Sequence, residues 1–85
     1  MIEHKIYRQY LLQYLKEALS NSNGTTGGVA TYLVEIPSPG RFARHRTEKL
    51  RALRDLRDAF EGHRHWPLDI ALSHLGVDPK ELQAN

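Results

Sequence analysis

Apolar residues recur at three- and four-residue spacing from residue 3 to residue 20: Ile6, Tyr7, Tyr10, Leu11, Tyr14, Leu15, Ala18 and Leu19. That period predicts an α-helix. The apolar arc is broad, and Lys5, Gln9, Gln13, Lys16, Glu17 and Ser20 fill the narrow polar stripe that remains. A helix apolar around most of its circumference must be covered on more than one side. The pattern then changes. Residues 20–28, SNSNGTTGG, are polar and glycine-rich and read as a flexible connector. They lack the Gly-Lys-Ser/Thr ending of a phosphate-binding loop. Residues 29–36, VATYLVEI, are rich in β-branched and aromatic residues and predict the chain's one strand. Val29, Thr31, Leu33 and Glu35 would share one face, with Ala30, Tyr32, Val34 and Ile36 on the other. Pro37 and Pro39 end it in a proline-rich turn at 37–40, because proline cannot donate to a ladder.

Helical periodicity returns at 41–61, where Phe42, Leu50, Leu53, Leu56 and Phe60 predict the apolar stripe of a long helix stopped by Gly62. Arg46 and Lys49 lean toward that stripe, so the helix either starts nearer Thr47 or projects its first turns beyond the core. Opposite charges at helical spacing suggest the pairs Arg51–Asp55 and Arg54–Asp58. After a connector at His63–Trp66, Pro67 opens a helix with Leu68, Ala71, Leu72 and Leu75 on one face and Gly76 at its end. Asp78-Pro79 then caps a short helix through about Gln83. Helix, glycine, aliphatic residue and capped helix trace the outline of a helix-turn-helix. However, the second helix carries only Lys80 as a base, and Leu72 sits where a small residue is usual. The segment reads as a packing hairpin.

The predicted fold class is therefore α+β, mostly α: helix, single strand, long helix and short helical hairpin, in one domain of 85 residues. A lone strand has unpaired backbone groups, which are costly once buried. Pairing with the same strand of a second copy would satisfy them, so a homodimer is expected.

Composition adds modest limits. The chain is 40% hydrophobic and 26% charged, which suits a folded domain. It has no cysteine, so a reducing, cytoplasmic setting is expected and no thiolate chemistry is available. No apolar run approaches the ~20 residues of a membrane span, and no membrane partner is expected. Charge changes the picture more. The formal net charge is +2, distributed as zero over residues 1–40, +4 over 41–65 and −2 over 66–85.

Arg41, Arg44, Arg46, Lys49, Arg51 and Arg54 crowd into fourteen residues opposed only by Glu48. Guanidinium forks match phosphate geometry, and such contacts dominate nucleic-acid affinity. These six are the candidate nucleic-acid-binding residues. Tyr7, Tyr10 and Tyr14 line one face of the first helix and, with Tyr32 and Trp66, form the candidate partner or dimer interface. The histidines (His4, His45, His63, His65 and His74) include a His-x-His pair that with His45 or His74 could hold zinc or nickel, but spacing alone is weak evidence, polar connector residues are the favoured reading and no metal is expected. Catalysis finds no support. Ser73 and His74 are adjacent, and helical neighbours point about 100° apart, so they cannot pair as nucleophile and base. No enzyme activity, cofactor or small-molecule substrate is expected. Two functions follow: a small regulator binding nucleic acid through a basic helix, or an adapter or inhibitor binding a protein. The adapter would use the tyrosine face, the strand edge or the basic helix.

Overall fold

In the computed structural model, residues 2–83 are described, with side chains from residue 5 onward, so the His4 side chain lies outside the description. These residues form α1 (Ile2–Ser20), α2 (Thr26–Glu35), α3 (Arg46–Glu61), α4 (Leu68–Leu75) and α5 (Pro79–Gln83). Among the described residues there is no strand.

The fold class is thus all-α, and the strand expected at 29–36 is the helix α2. Its segment carries two periods at once. Alternation sorts it poorly, because Glu35 would share a face with Val29 and Leu33. Helical spacing sorts it cleanly: Val29, Ala30, Leu33 and Ile36 are buried, while Thr31, Val34 and Glu35 are exposed. A helix also satisfies its own backbone groups, which a lone strand cannot.

The supposed connector supplies the start signal. Thr25 is the N-cap, with extended backbone and its Oγ1 accepting from the Gly28 N–H at 3.0 Å. The Asn23 Oδ1 accepts from both the Thr25 N–H and its hydroxyl, at 3.1 and 2.6 Å. A Cβ on Gly28 would stand 2.3 Å from that Asn23 oxygen, so a larger residue there would displace the Asn23 side chain from its bonds to Thr25. Pro37 stops the helix by holding Ile36 in an extended conformation, φ −67° and ψ 123°. Arg57 meets two of the carbonyls at this helix end, its Nε donating to the Leu33 carbonyl at 3.0 Å and its Nη2 to that of the C-cap Ile36 at 2.8 Å.

The long helix is shorter than the pattern suggested. Residues 41–45 are turns, and α3 begins at Arg46. His45 is its N-cap residue in the left-handed region, φ 56°, and makes no side-chain cap. Phe42, expected to open the apolar stripe, therefore leaves it and is 94% exposed. Ala52, Leu53, Leu56 and Phe60 form the buried stripe of α3, against which α1, α2 and α4 pack. Leu11, Leu15 and Ala18 of α1 complete this core with the α2 residues. The broad apolar arc of α1 is covered within the chain, by α2, α3 and α5.

The C-terminal hairpin follows its sequence signals. Gly76 adopts φ 74°, and the Gly76 and Val77 N–H groups donate to the Ser73 and Leu72 carbonyls at 3.0 and 2.9 Å. That is the Schellman pattern, which needs a left-handed residue. The Asp78 Oδ1 accepts from the Lys80 N–H, and the Glu81 carboxylate accepts from the Asp78 N–H, both at 2.9 Å. Arg8 of α1 clamps this hairpin, donating to Glu81 at 2.8 Å and to the Gly76 carbonyl at 2.9 Å. Its guanidinium, with the Asp78 N–H, holds the Glu81 carboxyl below the usual range.

Thr25→Ala should cost about 1 kcal/mol in urea unfolding, as loss of an N-cap does, with Thr25→Ser near neutral. Were residues 20–28 a loop before a strand, both substitutions would be silent.

Candidate nucleic-acid interface

The turn-to-helix boundary at His45 divides the basic stretch. Arg41 and Arg44 are exposed in the turns before α3, and Arg46 is exposed as its first residue. Lys49 is half-buried, with Nζ 5.1 Å from the centre of the Tyr10 ring. Arg51 is exposed, with Cζ 4.8 Å from the centre of the Tyr7 ring. Arg54 is exposed, its Nε 3.6 Å from Asp55 Oδ1.

The expected pairs Arg51–Asp55 and Arg54–Asp58 do not form among the described residues. Asp55 is engaged elsewhere: its Oδ2 accepts from the Tyr7 hydroxyl at 2.6 Å. Arg51 is thereby left over the tyrosine ring instead of on the carboxylate. Burial, together with the hydrogen bond to Asp55, pushes the Tyr7 hydroxyl up to about 12.

Three other arginines are committed to the fold. Arg8 clamps the C-terminal hairpin, and Arg57 caps α2. Arg64 pairs with Glu61 at 2.8 Å and donates to Thr31 Oγ1 at 3.0 Å. That pairing holds the Glu61 carboxyl below its ordinary range. Sequence reasoning did not single out any of the three: Arg8 and Arg57 act on residues distant in the chain, and Arg64 joins a local partner, Glu61, to the distant Thr31.

By contrast, Arg41, Arg44 and Arg46 meet no carboxylate among the described residues. They surround the N-terminus of α3, where the helix dipole is already positive. Only Glu48 lies in the first turn to offset them. Farther along α3, Arg51 and Arg54 line an open groove of about 540 Å³ with Thr47, Leu50, Leu53, Arg57 and Asp58. A second hollow of about 650 Å³, between Asn21 and Arg64, is polar, but its one cation is the committed Arg64. Unspent positive charge therefore concentrates at one end and flank of α3.

The expected partner interface dissolves into separate seams. Tyr7 and Tyr10 sit between α1 and α3, with Tyr10 also 6.4 Å from the Tyr14 ring and 5.9 Å from that of His45. Burial raises the Tyr14 hydroxyl from its ordinary value. Tyr32 belongs to the α1–α2 seam, donating to Glu17 Oε2 at 3.0 Å, which raises its hydroxyl as well. Trp66 lies in the α3–α4 connector. Its ring stacks on His63 at 3.6 Å, and its carbonyl accepts from Thr26 Oγ1 at 2.6 Å. What the structure does bring together is the basic helix and the tyrosine face, as one cation-on-ring seam.

Among the described residues, no group of three or more His, Cys, Asp or Glu is placed to hold a metal. No described helix is long and apolar enough to cross a membrane. No known family model, curated protein or solved structure matches the chain.

Tyr7→Phe should destabilise the fold by about 1 kcal/mol at neutral pH through loss of the bond to Asp55. The raised Tyr7 value means that its contribution is intact below about pH 10, the unfolded value, and is lost as pH rises toward about 12. A stability–pH profile should fall across that window in the native chain and fall less in Tyr7→Phe.

Proposed function

We propose that this chain is a small, non-enzymatic nucleic-acid-binding protein that grips phosphates with Arg41, Arg44, Arg46, Arg51 and Arg54, with Lys49 assisting. One observation carries the reading. The fold engages Arg8, Arg57 and Arg64 in bonds of its own, yet among the described residues Arg41, Arg44 and Arg46 meet no carboxylate. These three cations stand together where a helix dipole adds to their field. Uncompensated like charge of this kind is relieved by a polyanion. Phosphates release counterions as arginines replace them, so affinity should be strongly salt-dependent.

The protein-adapter alternative has less to stand on. The strand whose edge it would use is the helix α2, and two tyrosines of its aromatic face, Tyr7 and Tyr10, already pack against α3. The homodimer expectation also loses its main argument, since α2 needs no partner strand.

Fluorescence-anisotropy titration of random-sequence DNA and RNA at several salt concentrations tests the proposal. For duplex DNA, a log–log slope of about −4 to −5 is expected if four to five of these cations meet phosphates. Arg44→Glu with Arg51→Glu should abolish binding while leaving the far-UV circular dichroism unchanged. Absence of binding at the lowest salt would overturn the reading.

A further inference from the structure

Phe42 is the least covered large apolar residue among those described, at 94% exposure, and the fold makes no use of its ring. Its surroundings are chemically specific. Arg41 precedes it, Arg44 and Arg46 follow, and all three are exposed. The turn that carries it is braced by the Ala43 N–H donating to the Gly40 carbonyl at 3.1 Å. A bare aromatic plate is thus held among cations that meet no carboxylate among the described residues.

Two kinds of surface would answer both features. An anionic membrane offers charge and apolar depth, but interfacial binding draws on an extended apolar face. Here Phe42 stands alone: the other exposed large apolar residues, Val34 and Ile70, lie on α2 and α4. Single-stranded nucleic acid offers phosphates together with flat base faces, and one ring suffices to stack on one base. A duplex keeps those faces inside its own stack and presents phosphates only.

Resting on the nucleic-acid reading above, we propose that the ligand is single-stranded, and that Phe42 stacks on an unpaired base while Arg41, Arg44 and Arg46 hold the adjoining phosphates. The arginines supply the salt-dependent part of the affinity, and the ring supplies a part that depends on bases and not on salt.

The experiment compares oligo(dT), an abasic strand of the same length and a duplex of the same length, by anisotropy at several salt concentrations, with affinities compared at the lowest. The native chain should bind oligo(dT) about tenfold more tightly than the abasic strand, as one stacked base would give. Phe42→Ala should remove that difference and leave the salt slope unchanged, whereas Phe42→Tyr should retain it. Because the ring is exposed, the melting temperature of Phe42→Ala should match that of the native chain. If Phe42→Ala binds oligo(dT) as well as the native chain does, this inference falls and phosphate binding stands. Duplex bound more tightly than oligo(dT) would have the same meaning. If neither strand nor duplex binds, the underlying reading falls too. Tight binding to phosphatidylserine vesicles in that case would assign the ring and arginines to a lipid surface.

Discussion

Burial of one narrow stripe on α3 governs the rest of the molecule. Ala52, Leu53, Leu56 and Phe60 are each at most 1% exposed, and they are enclosed by α1, α2 and α4. Each large side chain buried there contributes about 1.5–3 kcal/mol, more than any surface contact in the structure. Because the helix has a fixed pitch, fixing those residues inward fixes the others outward. Arg51, Arg54 and Asp58 have no freedom to choose their side. The direction of the basic face is thus a consequence of the leucine face, and a change that rotated α3 would disturb both.

The arginines show how finely the same side-chain type divides its work. Arg57 lies on α3 beside the stripe and reaches the end of α2, where it meets two carbonyls. A planar fork with several donors suits that task, and a lysine could not address both carbonyls with the same geometry. Arg51 lies farther around the helix, and its natural acidic partner is taken by Tyr7. Asp55 thus ties α1 to α3 and, in doing so, releases a guanidinium to a ring face. Such a cation remains charged, directed and only weakly held, about 0.5–1 kcal/mol at an exposed site.

Much of the fold was legible in the sequence. The period of α1, the glycine at position 76 and the Asp78-Pro79 start each act through neighbours within a turn, and each appears where the pattern placed it. The segment 29–36 was not legible by composition, because β-branched residues favour a strand only where the pleated surface exists to receive them. Tertiary packing against α3 decided it. The spacing of Val29, Ala30, Leu33 and Ile36, together with Thr25 three residues before Gly28, was the signal that could have revealed the helix. Phe42 misled for a related reason. Leu50 lies eight positions on, and the intervening positions of that helical face, His45, Arg46 and Lys49, are all polar. The candidate basic residues were visible from charge alone, but their division from Arg8 and Arg57 depends on long-range contacts that no local pattern records, and only the Glu61–Arg64 spacing was a local sign of the third.

The distribution of unpaired charge bears on what the α3 end is for. Stability alone would favour carboxylates in the first turn of a helix, and it would favour a side-chain cap such as Thr25 provides for α2. At α3 the side-chain cap is forgone and Glu48 is the one first-turn carboxylate: His45 caps nothing, and Arg44 and Arg46 flank a terminus that repels them. The same chain caps α2 and α5 well, so the sequence does not lack suitable residues. A small domain with a thin core tolerates an unfavourable terminus most readily where a ligand restores the balance. Anions bound at this end would supply the negative charge that the chain withholds, and Phe42 beside it would gain the cover that the fold does not provide. The exposed ring and the three exposed arginines thus lie within the six residues 41–46, and a ligand both anionic and flat-faced would satisfy the two together.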